Sequence, residues 1–427
     1  MTPNEPTHPE SNRYSRRHVL AASTAAAAAV AGCLGDGDGD GDEPDGAEDG
    51  AEQPDPGVTT VENPPSRVYK PTHRESMVMD PMIHADGGDY TLLPHFTYEH
   101  TFWLMRGGSD EPVREDPEEP GIHLMVAVLD SVTGEQIPLD IVSEMTIRQD
   151  GELVDRRDPW PMIAQSMGFH FGDNIPLEYG TYEVELRLDP IDARKTGAFE
   201  GRFEHAQTAT YTLEYDEEAR IGTIEGIEWL PEDEWGQPGA LDLMDHDGHG
   251  HDDHGGHDDH SHDDHGGHDD HSHDDHGGHD GHEHGDHGHP EMDLPPAAEY
   301  PGTDLGVHSS GDADFVVRQL EDSRLAENDE DYLLVSPRTP YNRIPLPDMS
   351  LSVEGDIGGE LVQTLDDELG HHYGLTVDFD DVEQFEIVVE TPPQVSRHAG
   401  YETAFIDMPP MTVTVDVGDG ADATSPY

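Results

Sequence analysis

Two stretches of this chain alternate between apolar and polar residues with a period of two, which is the pattern of half-buried β-strands. The first stretch predicts strands at 98–105, 123–129, 143–147, 182–188 and 208–215, separated by glycine, proline and aspartate turns. The second predicts strands at 315–320, 332–335, 349–353, 385–389 and 411–415. The pattern indicates no long amphipathic helix. We therefore predict an all-β fold with two antiparallel β-sandwich domains of the immunoglobulin or cupredoxin kind.

The tract between these stretches, residues 246–289, consists almost entirely of His, Asp and Gly and holds 17 of the 30 histidines. It contains nothing apolar that could be buried to offset the entropy lost on ordering, so we predict a disordered His/Asp-rich linker. Imidazole and carboxylate groups at this density suit Zn, Cu, Ni or Fe(II). The alternative is an acidic spacer in which the histidines are incidental. The first candidate ligands in the tract are His246, His249, His251, His254, His257, His260, His262 and His265.

Changes in composition divide the chain into segments. We predict a signal segment at 1–33, a disordered acidic tether at 34–66, a first β-sandwich domain at 67–230, a disordered linker at 231–305, a second β-sandwich domain at 306–418 and a disordered tail at 419–427. Each predicted domain is long enough to enclose a core of its own.

The amino-terminal segment predicts the location of the protein. Paired arginines, Arg16 and Arg17, precede an Ala-rich apolar run that ends in Val-Ala-Gly-Cys33, as in a twin-arginine signal with a lipobox. Cys33 is the only cysteine and lies in this segment, so an internal disulfide and a thiolate metal site are excluded. We predict that Cys33 carries a lipid anchor and that the protein is held at the extracellular face of the membrane. The alternative, a retained transmembrane helix, is disfavoured because the apolar run is too short.

The charge is strongly acidic, since 95 acidic residues against 21 basic ones give a formal net charge of -74. Such self-repulsion is tolerated at molar salt, where the Debye length is about 3 Å, so we infer a halophilic protein. A nucleic-acid partner is excluded because no basic surface is available to neutralise phosphates.

The two stretches resemble each other at a nearly fixed offset. Gly168-Phe-His170-Phe-Gly172 is matched 202 residues later by Gly370-His-His372-Tyr-Gly374, and Ile-Pro-Leu at 137–139 is matched at 344–346. We therefore predict a duplicated domain.

Candidate metal ligands in the first stretch centre on Met162 and His170. A thioether and an imidazole close together suit a soft or borderline ion such as copper or Fe(II). A methionine alone is more often a core residue. Further candidates are His95, Glu99, His100 and His205; period two places Glu99 and His100 on opposite faces unless a strand ends between them.

The run Met-Ile-Ala-Gln-Ser-Met-Gly-Phe-His-Phe-Gly-Asp-Asn-Ile at 162–175, followed by Gly-Thr-Tyr-Glu-Val-Glu-Leu-Arg-Leu at 180–188, resembles the iron transport-associated periplasmic family. The resemblance implies a sandwich that binds copper and iron and assists Fe(II) uptake, often as a homodimer. It places the metal-binding methionine of the family on Met162 and its histidine on His170. The late histidine of the family falls near His205.

In the second stretch Thr364 stands where the first has Met162, yet His372 persists, and Arg397-His398-Ala-Gly-Tyr-Glu402 is closer to the late motif of the family. His372 and His398 are therefore second-domain metal candidates. We expect the second domain to pack on the first as an intrachain pseudo-dimer that completes a shared site. The alternative is that the two copies divided the ligands between them.

Enzymatic functions receive little support. The sequence has no Gly-x-Ser-x-Gly or His-Glu-x-x-His motif, and a blue-copper site would need a thiolate. We predict a non-enzymatic, lipid-anchored protein that captures Fe(II) and/or copper, with zinc as a further ion at the His-rich tract, and passes the ion to a membrane permease. The alternatives are a metal-dependent oxidoreductase acting on Fe(II) or Cu(I), and an immunoglobulin-like adhesion module.

Overall fold

The computed structural model describes residues 53–54, 56–105, 111–117, 119–244, 292–321, 323–326 and 330–415. The signal segment with Cys33, the His-rich tract at 246–289 and the tail at 419–427 lie outside these residues. Over the described residues the chain is all-β, as predicted, with one α-helix of nine residues.

Over its described residues, the first repeat contains fifteen strands and the helix. The strands are β1 (His73–Arg74), β2 (Val78–Met79), β3 (Ile83–His84), β4 (Tyr90–Tyr98), β5 (Phe102–Leu104), β6 (Val113–Glu115), β7 (Ile122–Asp130), β8 (Val142–Gln149), β9 (Glu152–Arg157), β10 (Trp160–Ala164), β11 (Gly168–Ile175), β12 (Gly180–Leu188), β13 (Arg194–Thr196), β14 (Gln207–Tyr215) and β15 (Glu228–Trp229). Helix α1 is Glu217–Glu225, and the side chain of Asp216 caps its amino end.

The described part of the second repeat contains nine strands. They are β16 (Thr303–Ser310), β17 (Ala313–Leu320), β18 (Asp331–Arg338), β19 (Ser350–Gly355), β20 (Gly359–Asp366), β21 (Gly370–Val377), β22 (Gln384–Thr391), β23 (Ser396–Arg397) and β24 (Met411–Thr414). Nine of the ten strands predicted from the sequence are found within a few residues of their expected bounds. The predicted strand 98–105 is wrong, because strand pairing stops after Tyr98 and resumes at Phe102, so the segment belongs to two strands instead.

The first repeat is a sandwich of two antiparallel sheets. The larger contains β4-β7-β11-β10 in that order, and the smaller has the order β14-β12-β8-β9. Alternate residues of the large sheet, such as Leu124, Val126 and Phe171, pack in the core against Val184 and Leu213 of the small sheet. The opposite face of the large sheet is also buried, which leaves its strands without the usual exposed polar face.

The second repeat has the same strand order. Its β17-β18-β21-β20 corresponds to β4-β7-β11-β10, and its β24-β22-β19 corresponds to β14-β12-β8. The strands form one curled sheet whose first and last strands, β16 and β24, contact each other, so it approaches a closed barrel. The registers also agree, because Met162 pairs with His170 as Thr364 pairs with His372. Gly168 and Gly370, which begin the paired hairpin strands, have φ +74° and +64°, a conformation that favours glycine.

Each repeat contributes one short strand to the sheet of the other. Strand β23 of the second repeat pairs in parallel with β10 and antiparallel with β5, so it completes the large sheet of the first repeat. Strand β13 of the first repeat pairs in parallel with β20 of the second. The registers are equivalent, since Met162 faces Ser396 and Thr364 faces Arg194. The two repeats therefore pack by a reciprocal exchange of strands within one chain.

Packing extends beyond the domain boundaries expected from the sequence. The side chain of Gln53 donates to the carbonyl of Leu177 (2.7 Å), within the segment expected to be a tether. On either side of the His-rich tract, Leu241 and Met292 are buried, and the amide of Met244 donates to the carbonyl of Ser166 (2.8 Å). The described residues on either side of the tract thus lie against the turn between β10 and β11.

Candidate metal centre

Four buried histidines meet where β23 enters the large sheet. One nitrogen each from His100, His123 and His398 lie within 4.8 Å of one another. The fourth, His170, places Nε2 3.2 Å from Nε2 of His398. Three of these residues belong to the first repeat and one to the second, so neither repeat contains the cluster alone. We call these four residues the histidine centre.

His100 reaches the centre because β4 ends at Tyr98. The backbone amide of His100 donates to Asn174 Oδ1 (3.3 Å), and the carbonyl of His100 accepts from Asn174 Nδ2 (2.8 Å). This pair of bonds replaces the ladder hydrogen bonds that a continuous strand would make. It holds His100 beside β11, on which Asn174 lies.

His123 lies on β7 and extends over Gly172 of the neighbouring strand. A Cβ atom on Gly172 would lie 3.0 Å from His123 Nε2 and 3.2 Å from the carbonyl of Leu124. Glycine at this position therefore gives the imidazole the room it occupies. The sequence shows the same glycine in both repeats, but in the second repeat Gly374 lies beneath the ring of Tyr332.

His398 follows the exchanged strand β23. Its amide donates to the carbonyl of Ile163 on β10 (3.1 Å), which continues the pairing of β23 into the centre. Beyond it, the carboxylate of Glu402 accepts from the amide of Gly400 (2.7 Å) and from the hydroxyl of Tyr69. The loop that carries the second-repeat histidine is thus fixed to the first repeat on both sides.

Hydrogen bonds at Nδ1 determine where the protons of the first-repeat imidazoles lie. Nδ1 of His100 is 3.1 Å from the carbonyl of Tyr98, and Nδ1 of His170 is 3.2 Å from the carbonyl of Gly168. A carbonyl oxygen only accepts, so each Nδ1 carries a proton and each Nε2 presents a lone pair. In the same way Nδ1 of His123 donates to Asn174 Oδ1 (3.0 Å), which leaves its buried Nε2 without a hydrogen-bond partner.

These lone pairs converge on His398. Its Nδ1 is 3.0 Å from His100 Nε2, and its Nε2 is 3.2 Å from His170 Nε2. A neutral imidazole has one N–H, so His398 can donate to one of these nitrogens and must oppose the lone pair of the other. A bound cation would turn this repulsion into coordination. Outer hydrogen bonds at Nδ1 that orient Nε2 are the usual support of histidine metal ligands.

Burial keeps the centre uncharged. It lowers the pKa of His100 to about 4 and that of His170 to about 3. Burial, together with the neighbouring imidazoles, lowers the pKa of His123 and His398 well below the usual 6.5. All four rings are therefore neutral at neutral pH and can bind a metal without first losing a proton.

Met162 accompanies the centre from β10. It is fully buried, is the cross-strand partner of His170 and Ser396, and packs against Phe102 and Leu104. Its thioether therefore lies on the same face of the sheet as the imidazole of His170, directly across the β10–β11 hairpin.

The other predicted ligands have different places. His95 is buried on the same sheet face, bonds through Nδ1 to the carbonyl of Leu93 (2.8 Å), and is close enough to contribute to the lowered pKa of His170. Glu99 points away from the centre and forms a two-pronged ion pair with Arg220 (2.7 and 3.0 Å). His205 is exposed on the loop before β14, and the structure does not bring it to the centre.

Sequence reasoning missed His123 as a candidate. The histidine begins a predicted strand, but the sequence does not fix which strand lies next to it or in what register. The observed pairing of His123 with Asn174 places it over the motif that contains His170.

At the corresponding position in the second repeat, most of these metal-binding side chains are replaced by residues of other types. Tyr332 stands where the first repeat has His123, Thr364 where it has Met162, and Thr196 where it receives His398. His372 bonds instead to the hydroxyl of Tyr332 (3.2 Å), and Thr196 donates to Asp366 (2.5 Å). His398, the other second-domain candidate, has joined the centre of the first repeat. The pseudo-symmetric molecule therefore has an unequal pair of sites.

One part of the chain is similar to a known protein family. A protein family described as a domain of unknown function, DUF7350, matches residues 298–414, which covers most of the second repeat. No curated protein and no solved structure matches the chain. Among the described residues, no helix has the length and apolar composition needed to cross a membrane.

Proposed function

We propose that this protein captures a copper or ferrous ion at the histidine centre and carries it as cargo. The observation that supports this best is the convergence of unprotonated Nε2 atoms of His100, His123 and His170 on the ring of His398, with the Nε2 of His123 buried and unpartnered. Buried polar atoms are nearly always paired, so an orphaned lone pair here favours a ligand.

The donor set narrows the choice of ion. Imidazoles suit copper, iron, nickel and zinc, and the nearby thioether of Met162 favours copper, especially in its reduced form. The chain's one cysteine, Cys33, lies in the predicted signal segment, and no carboxylate belongs to the centre. Calcium and magnesium, which require oxygen ligands, are disfavoured.

Sharing of the ligands between repeats gives the duplication a role. A homodimer of single domains would place ligands from two chains at such a site. In this protein, His398 belongs to the same chain as the other three histidines. We propose that the exchanged strands β13 and β23 hold the intrachain pseudo-dimer together. Under this proposal metal binding needs no second copy of the chain.

The place of the protein in the cell is proposed from its sequence. The paired arginines and Cys33 favour export followed by lipid anchoring at the extracellular face of the membrane. The described residues on either side of the His-rich tract lie against the β10–β11 turn, so the tract would raise the local metal concentration beside the hairpin that carries His170. A membrane permease is the proposed recipient, in keeping with the resemblance to the iron transport-associated periplasmic family.

A competition titration tests this function. Copper is added to the full-length protein in the presence of a chelator that outcompetes the scattered sites of the tract but not a preformed centre. The expected result is one tightly bound ion per chain, lost in His398→Gln and retained in His205→Gln, a matched control on an exposed loop. Equal tight binding by wild type and His398→Gln would overturn the proposal.

A further inference from the structure

A row of aromatic side chains runs from the histidine centre to the protein surface. The ring of Tyr98 contacts that of His100 edge-on, with centroids 5.9 Å apart. On its other side Tyr98 lies 6.5 Å from the ring of His73, which lies 5.1 Å from the indole of Trp229. Trp229 is 48% exposed, whereas the other three are buried.

Local pairing explains the order of the row. His73 and Trp229 are cross-strand partners in the two-stranded sheet of β1 and β15, so their rings lie side by side. Tyr98 is the last residue of β4, two positions before His100. Because β4 ends here, His100 lies in the centre and Tyr98 lies between the centre and this small sheet.

The hydrogen bonds along the row fix the position of each proton. The hydroxyl of Thr72 donates its one proton to the carbonyl of Thr59 (2.6 Å), so toward His73 Nδ1, at 2.8 Å, the Thr72 oxygen can only accept. Nδ1 of His73 therefore carries the imidazole proton, and its Nε2 has a lone pair. That nitrogen is 2.8 Å from the hydroxyl of Tyr98, which must be the donor.

This arrangement joins an oxidisable phenol to a base that is ready to accept its proton. A tyrosine is hard to oxidise when its proton has nowhere to go, and easier when a neutral imidazole accepts the proton as the electron leaves. Burial lowers the pKa of His73, which keeps this imidazole neutral at neutral pH. A hydrogen-bonded Tyr-His pair between a metal centre and an exposed Trp is a stepwise route for one-electron oxidation.

We propose that Tyr98, His73 and Trp229 form a relay that carries oxidising equivalents from the histidine centre to the solvent and so protects the metal-binding imidazoles. The inference rests on the proposed metal centre as the source of the oxidant. Reduced copper reacts with hydrogen peroxide to give Cu(II), hydroxide and a hydroxyl radical. The hydroxyl radical takes one electron from Tyr98 and becomes hydroxide, while the phenolic proton moves to His73 Nε2.

The relay is completed by two further electron transfers. Trp229 gives one electron to the tyrosyl radical of Tyr98, and His73 returns its proton, which restores the phenol. The oxidised indole of Trp229 then takes one electron from a small reductant in solution, such as ascorbate. One molecule of peroxide and one electron each from copper and ascorbate are consumed, and no protein group is permanently changed.

The relay can be tested without any metal. In the metal-free full-length protein, azide radicals generated by pulse radiolysis oxidise exposed tryptophan. Part of the tryptophanyl absorption should then give way to a tyrosyl absorption, as intramolecular transfer sets up an equilibrium that populates both radicals, and added ascorbate should remove both signals together. We expect Tyr98→Phe to abolish this exchange and His73→Gln to slow it. Tyr90→Phe, which removes the hydroxyl of another fully buried tyrosine, is the matched control and should behave as wild type. A tyrosyl signal unchanged in Tyr98→Phe would overturn the proposal.

A second experiment tests protection of the centre. Copper(I)-loaded protein is treated with hydrogen peroxide and ascorbate, and oxidised histidine is located by peptide mass spectrometry. Oxidation of His100 and His398 should be greater in Tyr98→Phe and Trp229→Leu than in wild type and in the control Tyr90→Phe. Equal oxidation in all four proteins would contradict a protective relay. If the competition titration shows no tightly bound copper, the metal centre is refuted. The radiolysis experiment uses no metal, so its result tests the relay separately.

Discussion

Replacement of His170 by glutamine should make the free energy of unfolding of the metal-free protein less dependent on pH. His170 is fully buried, and burial lowers its pKa from 6.5 to about 3. As the pH falls below 6.5, the unfolded chain binds a proton at this imidazole and the folded chain does not. Acid therefore favours the unfolded chain, and the free energy of unfolding decreases until the pH reaches the folded-state pKa.

The magnitude follows from the two pKa values. Between about pH 7 and about pH 5, His170 should cost the folded state about 2 kcal/mol. His100, whose pKa burial lowers to about 4, should cost about the same again over this interval. His123 and His398 act in the same direction, since their pKa values are also lowered. His170 and His100 together should thus cost the folded state about 4 kcal/mol between these two pH values.

Guanidinium unfolding in the presence of a chelator, at about pH 7 and about pH 5, measures this difference. His170→Gln should lose about 2 kcal/mol less than wild type over the same interval, because glutamine does not titrate. The matched control is His205→Gln, which removes an exposed imidazole from a loop and should keep the wild-type dependence. If His170→Gln and wild type lose equal stability on acidification, the argument from buried neutral imidazoles is refuted.

Three further predictions concern the centre, the ion pair of Glu99 and the equivalent position in the second repeat. Gly172→Ala places a Cβ atom 3.0 Å from His123 Nε2, so the affinity for the metal should fall by about 10- to 100-fold, while the circular dichroism spectrum stays unchanged. Unaltered affinity would show that His123 is not a ligand. Glu99→Gln removes the carboxylate that balances the charge of the buried Arg220 guanidinium and should lower the free energy of unfolding by about 3–5 kcal/mol. Most of this loss should be recovered in the Glu99→Leu, Arg220→Met double variant, and no recovery would argue against the ion pair as the cause. His372→Gln should leave the number of tightly bound ions in a chelator titration unchanged, and loss of an ion would reveal a second centre.

The sequence predicted the fold well because strand periodicity and turn residues are local signals. The alternation around Val184 and Leu186, and its counterpart around Phe385 and Ile387, gave strand positions that the structure confirms. The duplicated Gly-x-His motif likewise marked the same hairpin in both repeats. These features depend on residues that are close together in the chain, so they can be recognised in the sequence itself.

The break after Tyr98 was not predicted because its cause lies elsewhere in the chain. Residues 98–105 have the apolar content of a single strand, but the side chain of Asn174 bonds to both backbone groups of His100 and ends β4 there. A distant side chain thus overrides the local propensity. The same interaction decides that His100 enters the centre and that Glu99 turns toward Arg220.

The full set of residues in the centre could not be predicted from the sequence, because it depends on strand register and on contacts between the repeats. Met162 and His170 were marked by their motif, but His123 required the register of β7 and β11. His398 was singled out by the resemblance of its surroundings to a family motif, which did not say which repeat it would serve. The exchange of β23 brings it to the first repeat, and this long-range pairing leaves no periodic signal in the sequence.

The most direct test of the account is the location of a bound ion by anomalous X-ray scattering from crystals of the copper-loaded, full-length protein. We predict one strong peak between the repeats, within bonding distance of nitrogen atoms of His100, His123 and His170 and of His398 from the exchanged strand. A structure with copper bound elsewhere, and with His398 still in contact with His100 and His170 without an ion between them, would contradict the central claim.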